Sequence, residues 1–404
     1  MSTDLLYHVF GVLGYEGEKA EYEDGKVVLT LSQDRDTFRC VECWSGKVVR
    51  RGSYRRRFRS VPIGSKPVQI TLDVPRLECL KCGAVRLAHI PFAHERRSYT
   101  LGFERYVLDL CRLMSLQDVA RHLQVGWDLV KDIQKRSLQA RFRKIKVKHL
   151  CEIAVDELCI GKGRRFVTIV LDLESGAIVF VGEGRGADAL EPFWKQLKRA
   201  RAKIAAVAMD MSPAYNLAVT THLPKAVIVF DHFHIIKLFN EKLSDLRRDL
   251  YREATEQMHK KVLKGTRWLL LRNPDNLDDD RDEPRRLEEA LALNEPLATA
   301  YYMKEDLRQL WSQSNKKTAR RILADWIRYA EISGIRMLMK FAKTLALHRE
   351  SILAYYDYPI STGPLEGTNN KIRTMQRQAY GFRDPEFFKL KLYALHESRY
   401  QLVG

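Results

Sequence analysis

Residues 361–381 combine a predicted helix start with side chains that could bind metal or phosphate. Ser361 and Thr362 are suited to cap a helix, and Pro364 is suited to its first turn. At four, seven and eleven residues after Glu366, on the same helix face, stand Asn370, Arg373 and Arg377. A carboxylate, an amide and two guanidinium groups in a row could bind a metal and a phosphate backbone. The alternative is a first-turn Glu that only stabilises the helix dipole, followed by a solvated polar stripe.

Three further acids follow stretches that are predicted to be buried strands. Asp156, Asp210 and Asp231 each stand at the end of such a stretch. Because ligands gather at strand ends in α/β sheets, these carboxylates are expected at one edge of a sheet. Two adjacent carboxylates repel each other unless a divalent cation compensates them, so Asp156 and Asp210 predict a metal site if their strands are neighbours. A single acid at a strand end is alternatively a turn former.

Two histidines follow Asp231 at the start of a predicted helix. His232 and His234 are two residues apart, so they are not expected to lie on the same face of that helix. One interpretation gives them core or capping roles. The other makes them, with Asp231, auxiliary residues of a catalytic site.

Four of the seven cysteines form two Cys-x-x-Cys pairs, Cys40 with Cys43 and Cys79 with Cys82. A tight Cys-x-x-Cys turn presents two thiolates, and structural zinc takes four tetrahedral ligands of this kind. Although thirty-five residues separate the pairs, the spacing predicts one Zn²⁺ held by two knuckles between the arms of a β-hairpin. Four unrelated buried cysteines are the alternative.

The charge of the chain is positive and unevenly distributed. Its 404 residues carry a formal net charge of +18, and residues 40–150 hold twenty-four Lys and Arg against nine Asp and Glu. This distribution indicates a polyanionic partner, for which nucleic acid is the usual candidate. No apolar run approaches the ~20 residues that span a bilayer, and residues 5–13 lack the basic start of a signal peptide, so a cytoplasmic protein without a membrane partner is expected.

Arginines are concentrated between the two cysteine pairs. Arg55, Arg57 and Arg59 stand at every second position, so they are predicted to lie on one face of a strand, facing phosphates. A plain solvated edge strand is the alternative.

Residues 103–140 are predicted to form three helices with apolar stripes, and Gly126 allows a tight turn before the third. A tight turn followed by a polar, basic helix is typical of a helix-turn-helix, although any small three-helix bundle has similar spacing. Outward-facing residues of the third helix are expected to contact DNA, namely Trp127, Asp128, Lys131, Gln134 and Lys135.

From residue 151 the pattern becomes that of an α/β domain. Three consecutive strands, an antiparallel start, are predicted at residues 152–157, 165–172 and 176–182. Helices and buried strands then alternate, with strands predicted at 204–210 and 226–231. Three strands followed by alternating helices and strands is the order of a ribonuclease-H-like domain.

The predicted fold class is a multidomain α/β protein. A zinc-binding finger and a helix-turn-helix are followed by a ribonuclease-H-like mixed-sheet catalytic domain that an all-α insertion interrupts. An opening helix and a strand near residues 27–31 are predicted within residues 1–39, followed by the finger at 40–98 and by the helix-turn-helix with a basic linker at 99–149. The catalytic domain is predicted at 150–240 and 345–404, and the helical insertion at 241–344.

Over nearly its whole length, from the paired Cys-x-x-Cys finger through the helix-turn-helix to the C-terminal helix, the sequence resembles the ISL-three family of bacterial insertion-sequence transposases, which are DDE transposases. The motifs that carry the resemblance are Val155-Asp156-Glu157, Ala208-Met209-Asp210-Met211-Ser212 with Tyr215, Phe230-Asp231-His232-Phe233-His234 with Lys237, and Gly363-Pro364-Leu365-Glu366-Gly367-Thr368-Asn369-Asn370-Lys371 followed by Ala379-Tyr380-Gly381-Phe382. Thr362 stands where the family has Asn, and Trp44 where it has Gly. Neither departure touches the acids.

The resemblance implies that Asp156, Asp210 and Glu366 are a catalytic triad that binds two Mg²⁺ (or Mn²⁺) ions. The implied activity is cleavage at the terminal inverted repeats to free 3′ hydroxyls, and their joining to target DNA. Asn370, Arg373 and Arg377 would hold the strand, while the finger and helix-turn-helix read the repeats. Synapsis of two DNA ends implies at least a dimer, in the bacterial cytoplasm and associated with the nucleoid. A DNA-binding regulator derived from a transposase and a cutting-only nuclease are the alternatives.

Overall fold

The structure is a computed structural model that describes residues 3–161, 165–255, 263–264, 266–292 and 294–397. Two compact units divide the chain, Met1–Arg143 together with Met375–Gly404, and Lys144–Thr374. The predicted ranges 40–98 and 99–149 lie wholly within the described residues, whereas the other predicted ranges include residues outside them. Within this described part, no helix combines the length and the apolar content that crossing a membrane requires.

The first unit begins with a mixed sheet. Its elements are helix α1 (Thr3–Phe10) and strands β1 (Glu16–Glu23), β2 (Lys26–Ser32), β3 (Val48–Ile63), β4 (Lys66–Cys79) and β5 (Val85–Leu87). The strand order is β1-β2-β4-β3, with β5 also paired to β4. β2 runs parallel to β4, so the opening strands and the cysteine hairpin share one sheet. The predicted opening helix and strand are confirmed, whereas β1 shows no apolar pattern because none of its side chains is buried.

Strands β3 and β4 form a long antiparallel hairpin with one buried and one exposed face. Phe58, Val68, Ile70 and Leu72 lie in the core beneath it. The exposed face carries charged side chains, which is the pattern expected of an antiparallel sheet with one solvated face. The hairpin therefore presents its arginines to solvent while apolar burial fixes its register.

Three helices follow, as predicted: α2 (Leu101–Leu110), α3 (Leu116–Leu123) and α4 (Trp127–Arg141). The Thr100 and Ser115 side chains cap α2 and α3 by accepting backbone N–H groups. Gln124 ends α3 in the left-handed region with φ 52°. Phe103, Val119 and other buried side chains form a core that packs the three helices together.

The second unit contains a five-stranded mixed sheet. Its strands are β6 (Glu152–Gly161), β7 (Arg165–Asp172), β8 (Ile178–Glu183), β9 (Ala206–Met209) and β10 (Val227–Phe230). The spatial order is β10-β9-β6-β7-β8. β6, β7 and β8 are antiparallel, which confirms the predicted start, and β9 and β10 continue parallel to β6. Most of these strands are apolar throughout because both faces of the sheet are covered.

Helices connect and follow these strands, and the stretch after β10 is mostly helical, as predicted. They are α5 (Glu191–Ala200), α6 (Pro213–His222), α7 (His232–Glu253), α8 (Arg267–Leu271), α9 (Glu283–Ala292), α10 (Glu295–Arg308), α11 (Lys316–Ile332), α12 (Arg336–Leu347), α13 (Arg349–Leu353) and α14 (Gly363–Gln378). Phe239, Trp326 and Phe341 form mutual edge-to-face contacts that pack α7, α11 and α12 together.

A last helix, α15 (Pro385–Tyr393), packs against α4 within the first unit through Leu138, Phe387 and Leu390. Asp384 caps it by accepting the N–H of Phe387 at 3.0 Å, and its carboxylate also receives Lys131 and Lys135. The Phe387 N–H and Lys135 hold the pKa of Asp384 well below its usual range. Helix α15 is thus fixed to α4 by both apolar packing and charge.

Candidate functional site

Asp156 and Asp210 lie at the same level on neighbouring parallel strands. Ala154 of β6 pairs with Ala208 of β9, and both aspartates stand two residues further along. Asp210 directly follows the end of β9, as predicted. The prediction that Asp156 ends its strand is wrong, because β6 continues to Gly161 through its pairing with β7. The two carboxylates therefore meet where β9 stops and β6 runs on.

The Asp156 carboxylate is buried and accepts two hydrogen bonds. Its Oδ1 accepts the backbone N–H of Glu157 at 2.8 Å, and its Oδ2 accepts Nδ2 of Asn369 at 2.8 Å. Burial raises the pKa of Asp156, and the charge of Asp210 raises it further. The Glu157 N–H, His234 and Asn369 act in the opposite direction. Burial of this carboxyl therefore has the largest effect on its pKa and outweighs the donors around it.

Asn369 is a site residue that the sequence reasoning missed. Its side chain is only 8% exposed, and its Oδ1 is buried without a hydrogen-bond partner among the described residues. The available signal is its position in the buried stripe of α14, four residues after Leu365 and three before Ile372. A polar residue in an apolar stripe needs a partner, and here that partner is Asp156.

Glu366 lies in the first turn of α14 and is exposed, as are Asn370, Arg373 and Arg377. The predicted polar stripe on one helix face is therefore confirmed, while its function is untested. Among the described residues, Asp156, Asp210 and Glu366 do not form a cluster of ligand atoms within 4.8 Å of one another. The helix is nonetheless held to the sheet, because Asn369, three residues after Glu366, binds Asp156.

Asp231 connects the end of β10 to two helix starts. It is 2% exposed, caps α7 by accepting the N–H of Phe233 at 3.2 Å, and accepts the hydroxyl of Thr362. The carbonyl of Thr362 in turn accepts the N–H of Glu366 at 3.0 Å. The Thr362 hydroxyl is therefore bonded to Asp231, and through this bond Asp231 positions the first turn of α14.

The two histidines point to different surroundings, as predicted. Nδ1 of His232 lies 3.3 Å from the Asp231 carboxylate, and its ring packs against Trp311 and Tyr355. His234 instead acts electrostatically on Asp156. Of the two, His234 is the one near the paired aspartates.

The four cysteine thiols of the two pairs come together in the first unit, with all Sγ atoms within 4.8 Å of one another. Sγ of Cys40 lies 3.6 Å from Sγ of Cys82, and Sγ of Cys43 lies 3.6 Å from Sγ of Cys79. The knuckles sit at the open end of the hairpin, where Val48 pairs with Cys79. The backbone N–H of Cys82 is the main cause that lowers the pKa of Cys79 to about 6. Four thiols gathered in this way are compatible with a tetrahedral zinc site.

Two expectations for DNA-facing residues are wrong. The Arg59 guanidinium is partly buried and donates to the carbonyl of Leu123 at 2.6 Å, because the helix-turn-helix packs over this end of β3. Gln134 is 7% exposed rather than outward-facing, because α15 covers the middle of α4. Lys131 and Lys135 of the same helix are engaged by Asp384.

The remaining predicted contacts stay open to solvent. Trp127 is 42% exposed and Asp128 is also exposed, so the first turn of α4 is accessible. Arg55 and Arg57 lie on the exposed face of the hairpin.

Residues 153–392 match a family described as Transposase, the ISL3 group of DDE transposases. Residues 88–138 match the helix-turn-helix domain of transposase family ISL3, which confirms the assignment of α2, α3 and α4. The two sequence matches identify a DDE transposase, a class that uses divalent metal ions. The chain belongs to the ISL3 family of insertion-sequence transposases.

Relatives match along nearly the whole chain. The transposase for insertion sequence element IS1001 of Bordetella parapertussis is 33% identical, over 98% of this chain and 98% of that protein. The transposase for insertion sequence element IS1557 of Mycobacterium tuberculosis is 28% identical, over 92% and 89% respectively. The solved Drosophila P element transposase strand transfer complex matches 64% of this chain and 79% of that chain, at 12% identity and a TM-score of 0.35. That score is too low to define a shared fold, so the family assignment rests on the sequence matches.

Proposed function

We propose that the second unit is a ribonuclease-H-like catalytic domain, with residues 241–344 as its helical insertion, that cleaves DNA at the ends of an insertion sequence and joins them to target DNA. One observation carries this proposal: Asp156 and Asp210 are level on neighbouring parallel strands, and Asn369 attaches the Glu366 helix to Asp156. The strand order, with three antiparallel strands followed by two parallel ones, supports this proposal.

The residues at this site fit a divalent cation. The Asp156 carboxyl is buried next to another acid. The Oδ1 of Asn369, which has no hydrogen-bond partner in the part of the chain that the structure describes, is a further hard oxygen donor beside it. Carboxylate and amide oxygens are preferred ligands of Mg²⁺ and Mn²⁺. Asp156, Asp210 and Glu366 are the side chains that would hold the ions. When bound, the two ions would align the attacking and leaving oxygens and offset their negative charge.

Two displacements at phosphorus follow from this assignment. In the first, a water oxygen bonds to the scissile phosphorus at the element's end and the 3′ oxygen leaves with a proton, giving a free 3′ hydroxyl. In the second, that 3′ oxygen bonds to a phosphorus of the target strand and displaces the target's own 3′ oxygen. Asp156, Asp210 and Glu366 would hold the ions beside the reacting phosphate, and the exposed Asn370, Arg373 and Arg377 hold its strand.

The first unit supplies DNA recognition in this proposal. The zinc finger stabilises the hairpin, and the accessible first turn of α4, with Trp127 and Asp128, contacts bases of the terminal inverted repeats. Two bound ends require at least a dimer, acting on DNA of the bacterial nucleoid. A regulator that only binds DNA does not explain why the acids are paired beside an amide oxygen that lacks a partner among the described residues.

Incubating the protein with DNA that carries the two ends of its insertion sequence, a target plasmid and Mg²⁺ tests the activity. We expect strand cuts that leave 3′ hydroxyls at the ends, followed by junctions between those ends and the target. Cuts without junctions would point to the cutting-only nuclease, and binding without cuts to the regulator.

Replacing Asn369 by Leu is expected to weaken Mn²⁺ binding about 10–100-fold, the range seen when a group that orients a metal ligand is lost. The substitution removes the donor to Asp156 and the buried Oδ1 while keeping a side chain of similar size. Mn²⁺ titration followed by electron paramagnetic resonance measures this without DNA. Asn370→Leu is the matched control, because Asn370 is exposed and should leave Mn²⁺ affinity unchanged. Equal affinities for wild type and Asn369→Leu would contradict the role of Asn369.

A further inference from the structure

A groove with a volume of about 1490 Å³ lies on the first unit. It is lined mainly by residues of β3, β4 and β5 and by residues 88–98. Eight of its lining residues are arginines, whereas Glu95 is the single acid among them, so we name it the arginine groove. It extends well beyond the strand positions that the sequence singles out.

Half of these arginines are neutralised locally. Their acidic partners are Glu42, Asp73, Glu78 and Asp132. The other four have no acidic partner within the described residues, and they are Arg56, Arg57, Arg76 and Arg96. The groove therefore keeps a net positive charge after the ion pairs are discounted.

The size and the charge pattern indicate a polymeric anion. Small-molecule sites have volumes of about 300–1,000 Å³ and are mostly apolar, and the arginine groove exceeds that range. Arg57, Arg76 and Arg96 are all exposed. Arg57 of β3 pairs with Thr71, five residues before Arg76 on β4, so these two positions lie about 16 Å apart along the strands and the positive charge is not focused on one point. Guanidinium groups bind phosphate oxygens in bidentate geometry. These features suit successive phosphates of a nucleic acid backbone.

The arginine groove is rigidly connected to the helix-turn-helix. The N–H of Arg59 donates to the carbonyl of Ser98 at 2.8 Å, and the Arg59 carbonyl accepts the N–H of Thr100 at 2.9 Å. The Arg59 guanidinium bonds to Leu123 at the end of α3. A salt bridge of 3.0 Å from Arg97 to Asp132 adds a link to α4. A duplex contacted by α4 therefore meets the groove at a fixed distance and angle.

Because α15 covers the middle of α4, the accessible part of that helix is short. We propose that the arginine groove binds the sugar–phosphate backbone of the DNA duplex whose bases meet the first turn of α4. This inference rests on the proposed function, since it takes the transposase's DNA as the partner. Such contacts hold the duplex in place and carry no sequence information.

The test is the salt dependence of DNA binding by the full chain with arginines 57, 76 and 96 replaced by Gln. The probe is a fluorescent DNA duplex of mixed sequence, titrated in about 50–200 mM KCl without divalent metal. Each lost phosphate contact reduces the slope of log affinity against log salt by about 0.9, so a reduction of about 2–3 is expected. The charge-matched control replaces three exposed cations outside the groove, Lys26, Arg35 and Lys66, by Gln.

A reduced slope in the groove variant, with an unchanged slope in the control variant and unchanged zinc content in both, supports the proposal. Equal slopes for wild type and groove variant would overturn it. The proposal would also be overturned if the groove variant bound an RNA duplex of the same sequence more weakly but bound the DNA duplex normally, because the partner would then be RNA. Since no metal is present, none of these outcomes depends on whether the paired aspartates catalyse cleavage.

Discussion

Replacing Asp156 by Asn is expected to lower the rate of DNA joining at least about 10³-fold. The substitution keeps the shape of the side chain but removes the charge that both metal ions need. Loss of several kcal/mol of transition-state charge stabilisation corresponds to a rate loss of this size. The measurement is single-turnover joining of end DNA to a target plasmid in Mg²⁺. Glu174→Gln, which removes an exposed acid of the same unit, should join at the wild-type rate.

The same Asp156→Asn variant is expected to be more stable than the wild type when no metal is present. Burial raises the folded-state pKa of Asp156 above its unfolded value. Below the unfolded-state pKa of about 3.9 the carboxyl is protonated in both states and does not destabilise the folded wild type. As pH rises from there through the folded-state pKa, the free energy of unfolding of the wild type decreases. The amide does not titrate, so the variant lacks this loss. Urea unfolding in a chelator at several pH values measures the difference, and identical pH profiles would contradict the burial of a charged carboxylate.

Replacing Cys43 by Ser is expected to remove zinc from the protein and to abolish DNA binding by the first unit. Structural zinc contributes about 10–16 kcal/mol in zinc-finger peptides, which is comparable to the whole stability of a typical domain. The four Sγ atoms come from two separate Cys-x-x-Cys turns that a bound zinc would hold together. Unfolding of the knuckles would release the cysteine end of β3 and β4.

Zinc content by atomic absorption and duplex binding by fluorescence anisotropy check this prediction together. Cys151→Ser is the matched control, because Cys151 is exposed and lies outside the cysteine cluster. It should keep one zinc per chain and normal binding. Normal zinc content in Cys43→Ser would contradict the four-cysteine site.

Asp156 and Asp210 could be singled out from local signals, because apolar runs mark the strands and each acid follows such a run. That their strands are neighbours could not be predicted, because β7 and β8 separate β6 from β9 in the chain and the two strands pair only in the folded sheet. The end of β6 could not be predicted either. Residues 157–161 stay in the strand because β7 pairs with them, and that pairing is a tertiary contact.

The helix-turn-helix could also be predicted only in its local structure, and not in its contacts with distant parts of the chain. Its three helices follow from periodicity and caps, but the partners of Lys131 and Lys135 lie about 250 residues further along the chain, at Asp384. No local pattern indicates that α15 covers α4. Asn369 can be noticed in the sequence as a polar residue in a buried stripe. Its hydrogen bond to Asp156 cannot be predicted in this way, because that bond exists only in the folded sheet.

The central claim is that the paired aspartates are metal ligands for cleavage and joining. The most direct measurement is the joining rate of Asp210→Cys with Mg²⁺ and with Mn²⁺, because a thiolate binds Mg²⁺ poorly and accepts the softer Mn²⁺ better. We predict that the variant is inactive in Mg²⁺ and regains joining in Mn²⁺, while Asp210→Ala is inactive in both. Joining by Asp210→Cys at the wild-type rate in Mg²⁺ would contradict the claim.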